Sequence, residues 1–215
     1  MKRRASSDGN PGNSGPGPAQ PRRAFSLIEL LVVLAIMIIL ATMLSSHLSV
    51  NHRRSALALC RQNLQEIFLA VTIYAGDNQG AYPLLQAART SAEPLSRLLP
   101  RCTTETAIFI CPSSSDPPLP EGEPFAQRRI SYAYYMGRNT NKLADDAVLS
   151  DWQVNNLPKQ AGQPLFSADG KTPGNNHQKD GGNLLLGSGV VQFSRPAASR
   201  ELPLPPGITL LNPRP

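Results

Sequence analysis

One carboxylate stands inside an apolar run. In Arg22-Arg23-Ala24-Phe25-Ser26-Leu27-Ile28-Glu29-Leu30-Leu31-Val32-Val33, two arginines lead into the run and Glu29 sits near its start. A charge buried in hydrocarbon is costly and needs a partner, so the chemistry this position asks for is an ion pair. The remaining chemistry-bearing residues are three cysteines, Cys60, Cys102 and Cys111, and a polar loop with Asp169, Asn176, His177, Asp180 and Asn183. An odd cysteine count leaves at least one thiol free or bonded to another chain. Cys102–Cys111 would close a short loop and Cys60–Cys111 a longer one, and no Cys-x-x-Cys supports a metal or redox role. In the polar loop, Asn and Asp side chains bonding their own backbone at a Gly-rich turn account for the composition.

The chain has no Gly-x-Ser-x-Gly, no His-Glu-x-x-His and no phosphate-binding loop. Asp145-Asp146 is a carboxylate pair without a histidine and reads as a solvated turn. The expectation is a protein that is not an enzyme. The net charge of +6 over 215 residues is not gathered into a basic stripe with interleaved aromatics, which argues against nucleic acid as a partner. Instead Lys2, Arg3, Arg4, Arg22 and Arg23 precede the apolar run, and Arg53 and Arg54 follow it.

These residues need elements to position them. Residues 1–24 are rich in Gly, Pro, Ser and Asn and read as a disordered basic leader. Residues 25–44 are apolar on every side and about 20 residues long, enough to span a membrane as a helix. The basic residues before them predict a cytoplasmic N-terminus and a single pass, with the rest outside the cytoplasm. No proline interrupts the chain between Pro21 and Pro83. Leu57, Cys60, Leu64, Ile67, Phe68, Val71 and Tyr74 recur at three- and four-residue spacing, so residues 45–80 continue the helix as an amphipathic half. Gly76-Asp77-Asn78-Gln79-Gly80 is the predicted stop. His47 and His52 are expected at headgroup level.

Residues 81–195 form the predicted soluble α+β head. A short helix is expected over 87–99 and strands over 107–111, 130–136, 184–186 and 190–193, the last two joined by a tight hairpin at Gly187-Ser188-Gly189. The Pro-rich tail, residues 196–215, reads as either an edge strand or an irregular covering segment.

Ala24-Phe25-Ser26-Leu27-Ile28-Glu29-Leu30-Leu31-Val32-Val33 resembles the prepilin-type cleavage and methylation motif of type IV pilins and type II secretion pseudopilins. The stretches Cys60-Arg61-Gln62-Asn63-Leu64 and Tyr74-Ala75-Gly76-Asp77-Asn78-Gln79-Gly80-Ala81-Tyr82-Pro83 resemble the helix end of proteins similar to the major pseudopilin. Phe109-Ile110-Cys111-Pro112-Ser113, Ser131-Tyr132-Ala133-Tyr134, Asn176-His177 and Gly181-Gly182-Asn183-Leu184-Leu185-Leu186 resemble a group abundant in planctomycete-type bacteria. The resemblance implies a pilin-like α+β fold, with a long N-terminal helix packed on a small antiparallel sheet. It implies cleavage between Ala24 and Phe25 by a prepilin peptidase, with N-methylation of Phe25 by its methyltransferase activity. Glu29 would then pair with the N-terminal amine of a neighbouring subunit during self-assembly with other pseudopilins at the inner membrane, with the head periplasmic. It also implies Cys60–Cys111 as the first disulfide candidate, and calcium as a possible ion at Asp169, Asp180 and Asn183. Two departures stand out: Ala24 replaces the usual Gly before the cut, and Ser188-Gly189-Val190 replaces the usual Asp-Gly-His at the hairpin. The expected function is a structural subunit of a type II secretion pseudopilus. The alternatives are a membrane-anchored extracytoplasmic binding module and a type IV pilus subunit.

Overall fold

The computed structural model describes residues 25–117, 124–196 and 201–214, and the side chains of residues 44–52 lie outside the description. The leader through Ala24 and the side chains of His47 and His52 are therefore outside it as well. The chain divides into two compact units, Met1–His47 and Leu48–Pro215. Helix α1, Leu27–Asp77, is the longest element.

In the first unit, every described side chain from Phe25 to Met43 is exposed. Among the large apolar side chains Leu27 is 81% exposed and Val32, the best covered, is 49% exposed. A helix apolar on all sides has no polar face to give to water, so this surface has no counterpart within its own unit. Among the described residues no helix is long and apolar enough to cross a membrane.

In the second unit the helix becomes one-sided. Ala56, Cys60, Leu64, Ile67, Ala70, Val71 and Ala75 are buried, a stripe at helical spacing that faces the core. Gln62 Nε2 donates to Glu66 Oε1 at 2.8 Å on the outer face. The end is built as a left-handed cap: Gln79 and Gly80 have φ of 55° and 82°, and Gly80 N–H donates to Ala75 O at 2.8 Å. A glycine at such a position satisfies the last carbonyls without a Cβ clash.

Five strands follow: β1 Tyr132–Met136, β2 Ala147–Asp151, β3 Gly182–Leu186, β4 Val191–Ser194 and β5 Thr209–Leu211. They form one antiparallel sheet in the order β4-β3-β2-β1-β5. Alternation along the strands gives the sheet two buried faces. Tyr132, Tyr134, Leu149, Leu185 and Val191 join the helix stripe in one core. Ala133, Tyr135, Leu184, Leu186 and Leu210 meet Leu165, Phe166 and Leu202 from the loops in a second. A register shift between Ala147 and Leu149 places Val148 and Leu149 in the same core, as a bulge does.

The fold is the expected α+β arrangement of a long helix and an antiparallel sheet, and several elements correct the sequence reading. Residues 107–111 are not a strand: Ala107–Phe109 is a 3-10 turn. Its groups are used one by one, with Phe109 O accepting from Ser131 N and Ile110 O from Asn63 Nδ2, so no ladder is left to form. The helix expected over 87–99 shrinks to α2, Ala92–Leu95, and a 3-10 turn, Ser96–Leu98: Ala87 adopts a φ of 61°, outside the helical basin, and the Arg89 and Thr90 N–H groups donate to Glu93 Oε1 at 3.1 Å. β2 has no counterpart in the sequence reading. The tail provides β5, paired with β1 at the edge of the sheet. Behind it, Arg214 pairs with Asp116 and stacks 4.4 Å above the Trp152 ring.

Candidate functional site

The first candidate is the start of α1. Phe25 is 83% exposed. Ser26 N–H donates to Glu29 Oε2 at 2.9 Å, and Ile28 N–H faces Ser26 Oγ at 3.4 Å. This reciprocal pattern is a capping box, with Ser26 as the cap and Glu29 three residues on. The carboxylate also sits in the first helical turn, where the helix dipole favours negative charge. Ser-x-x-Glu ahead of an apolar run is legible in sequence, and the cap is a role for Glu29 separate from ion pairing. Ala24, the other half of the expected scissile pair, lies outside the described residues.

The second candidate lies at one end of the sheet. Tyr132 faces Asp151 across β1 and β2, and Asn183 faces Phe193 across β3 and β4. Residues opposite each other share a face, and these pairs continue the face that carries Tyr134, Leu149, Leu185 and Val191. A carboxylate therefore lies on the helix-facing side of a sheet. Asp151 has no exposed surface, so its charge must be met by donors. Its Oδ2 accepts from Asn183 N at 2.6 Å and Asn183 Nδ2 at 3.0 Å. Its Oδ1 accepts from Asn176 Nδ2 at 3.1 Å. His177 Nε2 is 3.1 Å from Oδ2 and 3.7 Å from Cys111 Sγ. Asn183 Nδ2 lies 3.2 Å from the same ring nitrogen. Burial, with Asp151 adding to it, pushes the Tyr132 hydroxyl well above its ordinary range, so Tyr132 stays neutral.

The chain reaches this cluster through a turn in which Asp180 N–H donates to His177 O at 3.1 Å. Gly181, at φ 119°, then leads into β3, and a Cβ there would lie 2.1 Å from Ser194 O. Cys60 of α1 and Cys111 form a disulfide with Cα atoms 5.1 Å apart. Cys102 is a free, half-buried thiol. Burial raises its pKa, with Asp77 adding to the shift and Arg101 opposing it.

The three calcium candidates have separate engagements. Asp169 Oδ1 accepts from Ser167 Oγ and Lys171 N–H, both at 2.9 Å. These bonds, that from Lys171 first, hold its carboxyl below the usual range. Asp180 pairs with Arg53 of α1, and Asn183 is committed to Asp151. Among the described residues, the only three His, Cys, Asp or Glu donors close enough to share an ion are Cys60, Cys111 and His177, and the two sulfurs are already bonded to each other. Asp146 is not a free turn residue: it pairs with Arg138 at 2.8 Å and accepts from Leu143 N–H at 2.9 Å.

Nothing in the spacing of Asp151, Arg53, Arg54 or Phe193 singles them out as partners of the His177 loop. The sheet register and the helix supply that juxtaposition. No curated protein and no solved structure matches the chain. Residues 20–45 match the prokaryotic N-terminal methylation motif. The capped start of α1, with Phe25 before it and Glu29 in its first turn, falls within those residues: the chain carries a prepilin-type N-terminal methylation motif at the start of its long helix.

Proposed function

We propose that the chain is a structural, non-catalytic subunit of a type II secretion pseudopilus. A prepilin peptidase cuts between Ala24 and Phe25, and its methyltransferase activity modifies the new amine of Phe25. Residues 25–44 then hold the protein in the inner membrane, N-terminus cytoplasmic and head periplasmic, and pack against other copies and other pseudopilins. The observation that carries this reading is the methylation motif over residues 20–45. The all-round exposure of Phe25–Met43 supports it, because such a surface is stable only against lipid or another apolar helix. Glu29 pairs with the Phe25 amine of a neighbouring subunit, and a wrong axial register leaves a charge unpaired. Head-to-tail contacts of this kind build an open helical array.

Mass spectrometry of the N-terminus of membrane-fraction protein tests this. The expected result is a chain beginning with N-methyl-Phe25. Protein beginning at Met1 in that fraction overturns it. A binding module anchored by the same motif is the second reading, favoured by a cavity in the head described next. Cysteines placed within 25–44 separate the two: ladders of crosslinked multimers mark a filament subunit, and monomers alone mark an anchored module.

A further inference from the structure

The head contains a cavity of about 280 Å³ between the second-unit part of α1 and the His177 turn. Its walls are fixed from several directions. The Cys60–Cys111 disulfide ties the helix to the chain segment whose next residue, Pro112, lines the cavity. An exposed Arg53–Asp180 ion pair spans from the helix to the turn on the other side. His177, in the wall, is held from behind by the fully buried Asp151. Gln178, also in the wall, has a φ of 55°. A non-glycine residue in the left-handed region carries local strain of the kind that collects at binding sites. Preorganised walls are what a ligand site needs.

The lining states what fits. Arg53 is neutralised by Asp180. Arg54 lines the same cavity, and among the described residues no carboxylate pairs with it. One positive charge is thus in excess, on the side chain best shaped to grip a carboxylate in a bidentate way. Opposite in character is an apolar wall of Leu57 and Phe193. Phe193 is 40% exposed, and its ring packs edge-on to His177 with centroids 6.4 Å apart. A partly exposed aromatic ring and an unpaired guanidinium lining one cavity match a flat or ring-shaped body carrying an acid.

We propose that this cavity is a binding site for a small ring-bodied organic anion, its carboxylate on Arg54 and its ring against Phe193. The site does not depend on assembly: a chain that never forms filaments still binds, and a filament-forming chain with a blocked cavity still assembles.

The test is NMR titration of the full-length protein in detergent micelles, read at the methyl groups of Ala56 and Leu57. The probes are benzoate (ring and acid), acetate (acid alone) and benzyl alcohol (ring alone). Benzoate is expected to give saturable shifts at least about tenfold tighter than either fragment, the scale of a charge-assisted hydrogen bond. Arg54→Gln is expected to weaken benzoate at least about tenfold and leave benzyl alcohol unchanged. Phe193→Ala is expected to weaken both ring compounds. Arg54→Lys, which keeps charge without the fork, is expected to fall between wild type and Arg54→Gln and guards against a folding artefact in either variant. The proposal is overturned by the absence of saturable shifts with benzoate, by equal binding of benzoate and acetate, or by unchanged benzoate binding in Arg54→Gln.

Discussion

The backbone N–H of Ser26 donates to the Glu29 carboxylate at 2.9 Å, so the acid at the head of the apolar run also completes the capping box of its own helix. The two roles draw on different properties. Capping needs an acceptor oxygen three residues after the cap. Pairing with an amine of a neighbouring subunit needs the negative charge. Glu29→Gln keeps the first and removes the second, and Glu29→Ala removes both. Cleavage before Phe25 is expected in both variants, and crosslinked ladders through residues 25–44 are expected in neither. The Ser26 amide is expected to exchange with deuterium faster in Glu29→Ala only, by the several-fold that a cap worth about 1 kcal/mol confers. Normal ladders from Glu29→Gln would remove ion pairing from the assembly mechanism.

The disulfide joins α1 to the segment that precedes the cavity wall, across a sequence separation of 51 residues. Closing a loop of that length is expected to contribute about 3–4 kcal/mol, largely by restricting the unfolded chain. Cys60→Ser with Cys111→Ser is expected to lower the urea midpoint accordingly. Cys102→Ser, at the free and half-buried position, is expected to shift it by less than about 0.5 kcal/mol. A double variant as stable as wild type under oxidising conditions would show that the sheet and helix hold together without the bond.

Lys159 gives the head a measurable pH signature. Its backbone pairs with Leu202, N to O at 3.1 Å and O to N at 3.0 Å, and only 3% of the residue is exposed. Its Nζ donates to Leu157 O at 3.0 Å, to Asn155 O at 3.1 Å and to Asn155 Oδ1, and no carboxylate among the described residues meets it. Burial lowers its pKa to about 8 from an ordinary value of 10.5. Between those two values the unfolded chain holds the proton and the folded chain does not. Stability contributed by this group therefore rises as pH increases from about 8 towards 10.5 and is flat below. The urea midpoint of wild type minus that of Lys159→Met, measured at pH 8 and pH 10, is expected to grow with pH. Parallel profiles for the two proteins would assign the shift elsewhere.

How much was legible before folding differs from element to element. The helix stripe of Cys60, Leu64, Ile67 and Val71 is readable because helical spacing repeats in sequence. The hairpin at Gly187-Ser188-Gly189 is readable because turn chemistry is local: Leu186 N–H meets Val190 O at 2.9 Å around it. β2 is not readable. Its run is short and closes on Ser150-Asp151, polar residues that read as loop but are buried here. The 107–111 segment misleads in the opposite way, since its β-prone residues enter a core through a 3-10 turn whose polar groups are claimed by Asn63 and Ser131.

The sequence by itself determined the N-terminal half of this protein's behaviour, because the motif over residues 20–45, the apolar run and the Ser-x-x-Glu cap are all contiguous and act through local chemistry. Only the tertiary structure decided what the head contains. Asp151, His177, Arg54 and Phe193 come from a strand, a turn, a helix and another strand. Sheet register places Asp151 under His177, and α1 brings Arg54 to the same cavity. Such a site has no linear signature, because the distances that define it are set by pairing and packing between segments far apart in the chain.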